Sequence, residues 1–467
     1  MVPANTYRNN TQERRSRLGT LGNIVSTGQG SGTRQGKGGR PPVPVQPIEE
    51  RQRAARLRRY QLQNHAARLL PQEGIAHCLR RPTAIAPVVE VQFVPSKHSA
   101  HYRGLQMCKS VWHCPICAAK ISEQRRGELA RLVEKHVAAG GSVYMTTYTI
   151  RHDRYDDLAD LVDRFLVARR KMRQGRRGMA LRKNYGVVGT VSVLEVTWSG
   201  ENGWHPHQHE LVFVEGELDV DAYEQDARQA WKDAAASQGL TMNEHGFVLQ
   251  RTYGAVADYI AKYGREPAVD NVWGVESEMT KGHIKQGREE KHYTPFAMLA
   301  AIADGVTRLE PKFQEYGRVF KGRKQLNYSP GLKDLYQEEE KTDEDLIEEP
   351  QGEEAFTILE IEKEPWSQVV EKNVRGNLLE RARAGRIGDC VAGLEELGIE
   401  SRPADLRGWQ VITPAGLARV ATMRRCDILH RWRCSVALEE PSEGSSWRVY
   451  DLVEVTLIAA PGTVLEA

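Results

Sequence analysis

The sequence of 467 residues predicts an α+β fold, in which a central sheet carries helices on one side. Segments with the two-residue alternation of strands are interleaved with segments of helical periodicity, and a strand hairpin stands near the middle of the chain. A cysteine-rich stretch precedes the predicted sheet. A run of carboxylates at 337–354 follows the sheet and predicts a boundary before a small C-terminal α+β domain.

Charge is unevenly distributed along the chain, although the formal net charge is only +3. Residues 1–47 are rich in Gly, Ser, Asn and Pro with an excess of arginine, which predicts a disordered basic arm. Residues 336–354 are dominated by Asp and Glu and predict an acidic linker. Three domains are therefore expected: a helical, cysteine-rich module at 48–136, a sheet domain at 140–335 and a C-terminal domain of unassigned role at 355–467.

Several classes of protein are disfavoured by composition. No apolar run approaches the roughly 20 residues that a transmembrane helix needs, and the N-terminus lacks the apolar core of a signal peptide. The seven cysteines, an odd number with four before residue 120, do not fit a secreted disulfide framework. We therefore expect a cytoplasmic protein that does not enter a membrane.

The individual elements follow from apolar periodicity and from helix-breaking residues. Pro47 and Pro71 bound an arginine-rich helix, and the later strand segments alternate with period two whereas the later helices repeat every three to four residues. Strands are predicted at 143–150, 187–198, 203–213 and 247–250, and helices at 48–70, 118–136, 156–172 and 220–237. Beyond the acidic run, the pattern is helical at 366–384 and strand-like at 447–458.

The most informative stretch is the strand at 203–213, which contains His207 and His209. Side chains two residues apart on a strand share a face. A tight turn joins this strand to 187–198, and a hairpin centred on residue 201 or 202 sets Glu195 across from one of the two histidines. Cross-strand Cβ atoms lie about 5 Å apart, so these three side chains are predicted to bind one metal ion. The alternative is a surface histidine cluster.

A second motif predicts the end of a helix at 258–264, closed by Gly264. Tyr259, Lys262 and Tyr263 lie at positions i, i+3 and i+4, so they face one way. A tyrosine hydroxyl becomes a useful nucleophile when nearby positive charge stabilises its anion, and Lys262 lies one turn from Tyr259. The alternative is a packed aromatic beside a lysine in an ordinary helix.

The third motif consists of four cysteines: Cys78, Cys108, Cys114 and Cys117. A Cys-Pro-x-Cys turn presents two sulfurs to one tetrahedral ion, as in half of a structural zinc site, so we expect structural Zn²⁺. His101 and His113 compete with Cys78 for the fourth position. A redox Cys-x-x-Cys is the other interpretation, but no thioredoxin-like pattern surrounds it.

The hairpin and the Tyr-x-x-Lys helix together resemble the HUH endonucleases, and more closely the rolling-circle replication initiators of small plasmids. Further blocks resemble that family in the same order, at 143–150, 292–299 and 320–333. The resemblance covers roughly 75–333, with a weaker similarity around Trp366. It implies an antiparallel sheet that carries the metal in its middle, and similar initiators have a cysteine-rich stretch ahead of their first motif.

The resemblance implies a site-specific nicking enzyme. Tyr259 would attack the scissile phosphate and form a 5′-phosphotyrosine link, Lys262 would stabilise the charge, and Tyr263 is the alternative nucleophile. The released 3′-hydroxyl would prime rolling-circle replication by a host polymerase, with a host helicase as a further partner. The donor set of Glu195, His207 and His209 suits Mg²⁺ or Mn²⁺, although imidazole also accepts zinc.

The expected substrate is plasmid origin DNA that is single-stranded or extruded, because duplex stacking hides the target phosphate. A basic run near the third predicted helix is a candidate phosphate-contacting surface, although such runs are usually solvated faces. Its members are Arg169, Arg170, Lys171, Arg173, Arg176 and Arg177.

Two residues depart from the family pattern. Gln208 stands between the histidines where a hydrophobic residue is usual, and we expect it to face away from the metal and to meet solvent. Ala255 occupies the place of a glutamate that serves some relatives in a second, terminating cleavage. The route of termination therefore stays open, with Tyr263 as a substitute.

Two other functions compete with this one. A single-strand transposase or relaxase of the same superfamily would share the chemistry, but the blocks at 294–296 and 322–326 favour the replication initiator. A non-catalytic zinc-containing DNA-binding regulator would leave Tyr259, Lys262 and the predicted metal ligands unexplained.

Overall fold

The structure is a computed structural model that describes residues 47–251, 292–339, 341–348, 355–426, 431–438 and 447–460. The chain divides into two units, Met1–Gln46 and Pro47–Ala467, and all of the described residues belong to the second. The predicted basic arm, apart from Pro47, lies outside the described residues, and so does the tyrosine motif at 258–264. No helix in the described ranges is long and apolar enough to span a membrane.

The helices begin where side chains can satisfy the free amide groups of the first turn. Asp157, Asp219 and Thr294 each accept a hydrogen bond from the amide three residues ahead. The described helices are α1 Ile48–Leu69, α2 Pro115–Ala138, α3 Leu158–Gln174, α4 Arg176–Asn184, α5 Val220–Ala236, α6 Pro295–Ala303, α7 Glu310–Phe320, α8 Leu332–Leu335, α9 Asp343–Glu348, α10 Lys363–Glu371, α11 Arg375–Arg383 and α12 Ile387–Glu395.

The strands form three sheets, and every pairing is antiparallel, so the predicted α+β class with antiparallel sheets is confirmed. The described strands are β1 Val88–Val94, β2 Ser99–Arg103, β3 Ser142–Thr149, β4 Val187–Ser199, β5 Gly203–Val214, β6 Phe247–Arg251, β7 Leu326–Tyr328, β8 Phe356–Glu362, β9 Arg402–Pro403, β10 Gln410–Thr413, β11 Gly416–Cys426, β12 Arg431–Leu438, β13 Trp447–Asp451 and β14 Thr456–Ala459.

The central sheet has five strands in the order β6-β3-β5-β4-β7. Its middle is the long hairpin of β4 and β5, which runs from the Ser199–Gly203 pair at the turn to the far end of both strands. Gly203 has a φ of +75°, and a Cβ there would lie 2.7 Å from the Cα of Arg154, so the turn requires glycine. The hairpin register is the predicted one, with Glu195 directly across from His207.

Helices cover both faces of this sheet, so the expectation of helices on one side only is wrong. On one face, Tyr148 and Val212 pack in a core that includes Phe165 of α3 and Trp231 of α5. On the other face, two leucines of α2, Leu129 and Leu132, pack against apolar side chains of the sheet. These sheet side chains are Val143, Met145, Val191, Val193, Leu211 and Phe213. The sheet has two faces because successive side chains of each strand point to opposite sides. Helix α2 covers the second face, since its leucines repeat at helical spacing.

The first of these faces holds a buried ion pair. Arg169 of α3 is fully buried, with its guanidinium 2.9 Å from the Glu210 carboxylate and 3.3 Å from the centre of the Tyr148 ring. Its Nε–H donates to the side-chain oxygen of Gln208 at 2.7 Å. The assignment of Arg169 to a DNA-contacting surface is therefore wrong, because α3 turns this side chain into the core.

Gln208 is also corrected, since it faces away from the histidines but is 2% exposed instead of meeting solvent. The other members of the basic run differ in exposure. Arg170, Lys171, Arg176 and Arg177 are exposed, whereas Arg173 is half-buried. Their contact with DNA stays a prediction.

The second sheet, in the order β2-β1-β8-β9, joins distant parts of the chain. Strand β1 of the cysteine-rich module pairs with β8, which follows the acidic run. The buried Arg375 donates to the side-chain oxygen of Gln63 and to the carbonyl of Leu79, both at 2.8 Å. The first part of the predicted C-terminal domain thus packs on the module at 48–136, and the third sheet, β13-β12-β11-β10-β14, follows it.

Part of the predicted acidic linker forms a helix, α9, that docks on α2. Leu346 and Ile347 are buried, and Asp343 forms an ion pair of 2.9 Å with Arg125 of α2. Lys120 of α2 donates to the carbonyl of Ile347. The adjacent Leu346 and Ile347 bury one side of this short helix, and Asp343 at its start neutralises a cation of α2.

Replacement of Arg169 by alanine should lower the free energy of unfolding by about 3–5 kcal/mol, because the Glu210 carboxylate would stay buried without its main partner. Urea denaturation measures this change. The adjacent exposed residue supplies the control: Arg170→Ala should change stability by less than about 0.5 kcal/mol. Equal effects of the two variants would contradict a structural role for the Arg169–Glu210 pair.

Candidate functional site

Glu195, His207 and His209 converge on the α2 side of the central sheet. The Glu195 carboxylate oxygen lies 2.8 Å from Nε2 of His207 and 3.5 Å from Nε2 of His209. Their ligand atoms all lie within 4.8 Å of one another, and the three side chains are only 11–13% exposed. One carboxylate oxygen and two imidazole nitrogens therefore face a common point, which is an arrangement that could hold a divalent cation.

The imidazole rings are held by their other nitrogens. Nδ1 of His207 lies 3.2 Å from the carbonyl of His205, and because a carbonyl only accepts, this nitrogen donates. Nδ1 of His209 lies 2.9 Å from the hydroxyl of Thr147 on β3, directly across the strand pair. Such hydrogen bonds fix the ring orientation and leave Nε2 of each histidine directed at the common point.

The electrostatics of the cluster favour the charged forms of Glu195 and of His207. Burial opposes the ionisation of Glu195, but hydrogen bonds from His207 and His209 and their positive charge hold the pKa of this carboxyl well below its usual range. Burial also opposes the charge of His207, yet the hydrogen bond and negative charge of Glu195 raise its pKa. A metal ion bound at the common point would replace the hydrogen bond between His207 and Glu195.

Two neighbouring histidines extend this face of the hairpin. His205 lies two residues before His207, and its Nδ1 is 2.7 Å from Nε2 of His152, whose Nδ1 donates to the carbonyl of Asn202 at 2.8 Å. Burial, together with the positive charge of His207, His152 and His292, lowers the pKa of His205 to about 3. His205 is therefore neutral at physiological pH and is bonded to His152.

Sequence reasoning missed His152 and Thr147. Thr147 lies on β3, whose register against β5 has no local signal in the sequence, and His152 lies three residues beyond the end of that strand. The nearest available clue was the alternation of β3 itself, which puts Thr147 and Thr149 on one face. Only the pairing of Thr147 with His209 turns that clue into a contact.

The four cysteines form a second cluster. The Sγ atom of Cys78 lies 3.7 Å from that of Cys114 and 3.6 Å from that of Cys117, and the sulfurs of Cys108 and Cys117 are 3.7 Å apart. A tetrahedral zinc ion with Zn–S bonds of about 2.3 Å requires sulfur separations of about 3.8 Å. These distances exceed the roughly 2 Å of a disulfide and fit four ligands of one ion.

The competing fourth ligands are engaged elsewhere. Nε2 of His113 lies 2.8 Å from the carbonyl of Gly317, and that of His101 lies 3.0 Å from the side-chain oxygen of Gln92. Cys78 completes the cluster instead. Cys114 caps α2 and its sulfur accepts the amide of Cys117, so the first turn of this helix presents two thiols on one side.

Comparison with known proteins identifies the segment that holds both clusters. Residues 99–235 match a protein family described as Replication protein. Over these residues the chain is similar to the replication-protein family. The matched segment contains Glu195, His207 and His209 and three of the four cysteines, whereas Cys78 lies outside it.

Two proteins from Streptomyces are also similar to this chain. "Protein rep" of Streptomyces lividans is 27% identical over 300 residues, which are 50% of this chain and 64% of the relative. "Neomycin resistance protein" of Streptomyces cyanogenus is 29% identical over 137 residues, which are 24% of this chain and 31% of the relative. The chain thus spans less than two thirds of either relative, and no solved structure matches it.

The predicted nucleophiles, Tyr259 and Tyr263, lie outside the described residues, as do Lys262 and Ala255. The chain on either side is described. Strand β6 ends at Arg251 beside β3, and Tyr293 forms a bridge with Trp198, three residues beyond Glu195 on β4. Both ends of this segment are therefore joined to the sheet that carries the histidines.

We propose that the cysteine cluster holds one structural Zn²⁺. Replacement of Cys114 or Cys117 by serine should then release one zinc per chain and lower the melting temperature of the protein, because structural zinc contributes directly to folding free energy. Elemental analysis of the purified protein measures the metal. Cys434→Ser, which changes a buried cysteine outside the cluster, should leave the zinc content at one per chain. Fully folded wild-type protein without zinc would contradict the proposal.

Proposed function

We propose that this protein initiates plasmid replication by nicking one strand of origin DNA through a tyrosine transesterification. The observation that carries the proposal is the convergence of Glu195, His207 and His209 within the segment matched to the replication-protein family. The family match also favours an initiator over a transposase or relaxase of the same superfamily. A non-catalytic zinc-containing regulator would have no use for this donor set.

The donor set fits a divalent cation, because it combines an ionised carboxylate with two oriented imidazoles. No lysine or arginine is among these three residues. When bound, Mg²⁺ or Mn²⁺ supplies Lewis acidity at the scissile phosphate. Glu195 contributes negative charge that its low pKa keeps available. Thr147 and the carbonyl of His205 hold the two imidazole rings in place, so the site is organised before DNA arrives.

The attacking group in this proposal is the hydroxyl of Tyr259. Its oxygen forms a bond to phosphorus as the phenol loses its proton, and the 3′ oxygen leaves with the bonding electrons and becomes a hydroxyl. The DNA is then held through a 5′-phosphotyrosine. Lys262, one helical turn away, stabilises the charge near the nucleophile.

The substrate that fits this chemistry is single-stranded or extruded origin DNA, because a site within a sheet reaches a phosphate only when the strand leaves the duplex. The free 3′-hydroxyl is a primer for rolling-circle synthesis. Host polymerase and host helicase are therefore the proposed partners.

Loss of any of the three metal ligands should abolish metal-dependent nicking. We expect Glu195→Ala, His207→Ala and His209→Ala each to reduce the rate at least about 100-fold, while Thr147→Val, which removes only a support of His209, should cost about 10-fold. Nicking of supercoiled origin plasmid in Mn²⁺ measures the rate. Binding of origin DNA is the control and should change little, because the basic residues are untouched. Undiminished nicking by Glu195→Ala would exclude this residue as a ligand.

Tyr259→Phe should prevent formation of the covalent protein–DNA adduct, because phenylalanine lacks the attacking oxygen. Tyr263→Phe should affect at most a later joining or terminating step, since Glu266 occupies the position that corresponds to Lys262 and a carboxylate there raises a tyrosine pKa. Denaturing electrophoresis with a labelled origin oligonucleotide detects the adduct. Peptide mapping that places DNA on Tyr263 in the wild-type protein would reverse the assignment.

A further inference from the structure

A basic cavity of about 610 Å³ lies between the cysteine loop and the edge of the central sheet. One wall is the loop at 108–113, and the opposite wall is formed by residues 321–328, which include strand β7. Five lysines and two arginines line it, against the carboxylates of Glu73 and Asp343. Positive charge is therefore in excess among the residues that line this concave surface.

The two carboxylates are already paired. Glu73 lies 3.0 Å from Nζ of Lys321, and Asp343 lies 2.9 Å from Arg125. Lys324 is exposed, and in the described part of the chain no carboxylate pairs with it. Arg323, Lys333 and Lys341 pair with carboxylates outside the cavity lining, namely Asp163, Glu128 and Glu339. Lys324, together with Lys321 once its exposed pair with Glu73 opens, therefore supplies the charge that an anionic ligand would meet.

The walls of the cavity are fixed to each other. The indole N–H of Trp112 donates to the carbonyl of Arg323 at 2.7 Å, which ties the cysteine loop to the opposite wall. The Tyr316 hydroxyl of α7 donates to the carbonyl of Trp112 at 2.9 Å. The cations are therefore presented on a braced surface, which lowers the entropy lost when a ligand binds.

One wall of this cavity is joined to the strand that carries Glu195. Leu326 of β7 pairs with Val193 of β4, and the amide of Leu194 donates to the carbonyl of Gln325 at 2.9 Å. Val193 and Leu194 directly precede Glu195 on β4. The lining strand β7 therefore pairs with β4 beside the position of this candidate metal ligand.

We propose that this basic cavity binds the backbone phosphates of the single-stranded DNA beside the nick. Lys321 and Lys324 are the phosphate contacts. The inference deepens the proposed nicking function and rests on it. A cavity of this volume matches a ligand of a few nucleotides and is small for a duplex. Lysines act as point charges toward phosphate, which suits contacts that hold a strand without reading its sequence.

The test measures the salt dependence of DNA binding without catalysis. A fluorescein-labelled single-stranded 20-mer is titrated in EDTA at several KCl concentrations, and fluorescence anisotropy gives the affinity. We expect Lys321→Ala with Lys324→Ala to weaken binding and to reduce the slope of log K against log[KCl] by about 0.7 for each lost contact. Lys232→Ala with Lys372→Ala removes two exposed lysines outside the cavity and should leave the slope unchanged.

A second variant should change DNA affinity and the salt slope in the opposite direction. Glu73→Gln releases Lys321 from its ion pair, so binding should tighten and the slope should become steeper. A merely structural role for these residues would not give opposite changes in the two variants. Wild-type slopes in both the double lysine variant and Glu73→Gln would overturn the cavity proposal.

Strand binding and nicking, measured on the same protein, distinguish a failure of this inference from a failure of the proposed function. Normal strand binding by the cavity together with an absence of nicking in Mn²⁺ would contradict the nicking function alone. Nicking that persists with an unchanged salt slope in the lysine variant would contradict the cavity alone. A matched 20-bp duplex completes the experiment, and a loss of duplex affinity as large as that for the single strand would overturn the assignment to single-stranded DNA.

Discussion

The pairing of β4 with β5 is the constraint on which the rest of the structure depends. Because strand side chains alternate, one register sends His207 and His209 to the side of Glu195 and sends Gln208 and Glu210 to the opposite core. A slip of one residue would exchange these two sets. The imidazoles would then be buried in the apolar core, and the carboxylate of Glu210 would lose its guanidinium partner.

The buried polar network therefore has a specific part in the site, although it lies on the other face of the sheet. Arg169 binds Gln208 and Glu210, the two residues that alternate with the histidines. Its ion pair is favourable only with this register, because an unpaired charge in a low-dielectric core is costly. The network behind the sheet thus fixes the arrangement of the ligands in front of it.

Helix α2 links the two clusters of candidate metal ligands. Its N-cap and first turn carry Cys114 and Cys117, and about three turns further along Leu129 and Leu132 pack on the histidine side of the sheet. The basic cavity lies beside the same helix, since Arg125 is among its lining residues. The cysteine cluster therefore lies where it joins one wall of the cavity to the helix that covers the sheet. If the cavity binds DNA as proposed, metal binding by the cysteines would act on that wall.

The sequence by itself determined the features whose physical causes are local. A turn that requires glycine, together with the two-residue alternation of strand side chains, set Glu195 opposite His207. The spacing of Cys114 and Cys117 placed two thiols on one helical turn. Only the tertiary structure decided the features that depend on distant segments. A run of cations looks the same in sequence whether or not one of them enters the core, so the burial of Arg169 followed from how α3 lies on the sheet.

The same reason explains the other features that local patterns did not reveal. The contact of Thr147 with His209 depends on the pairing of β3 with β5, and the docking of Asp343 on Arg125 joins residues more than 200 positions apart. Strand β1 pairs with β8 because each leaves an edge that the other satisfies, and neither edge is visible in its own sequence. Local chemistry fixed which side chains could form the site, and long-range packing decided what surrounds them.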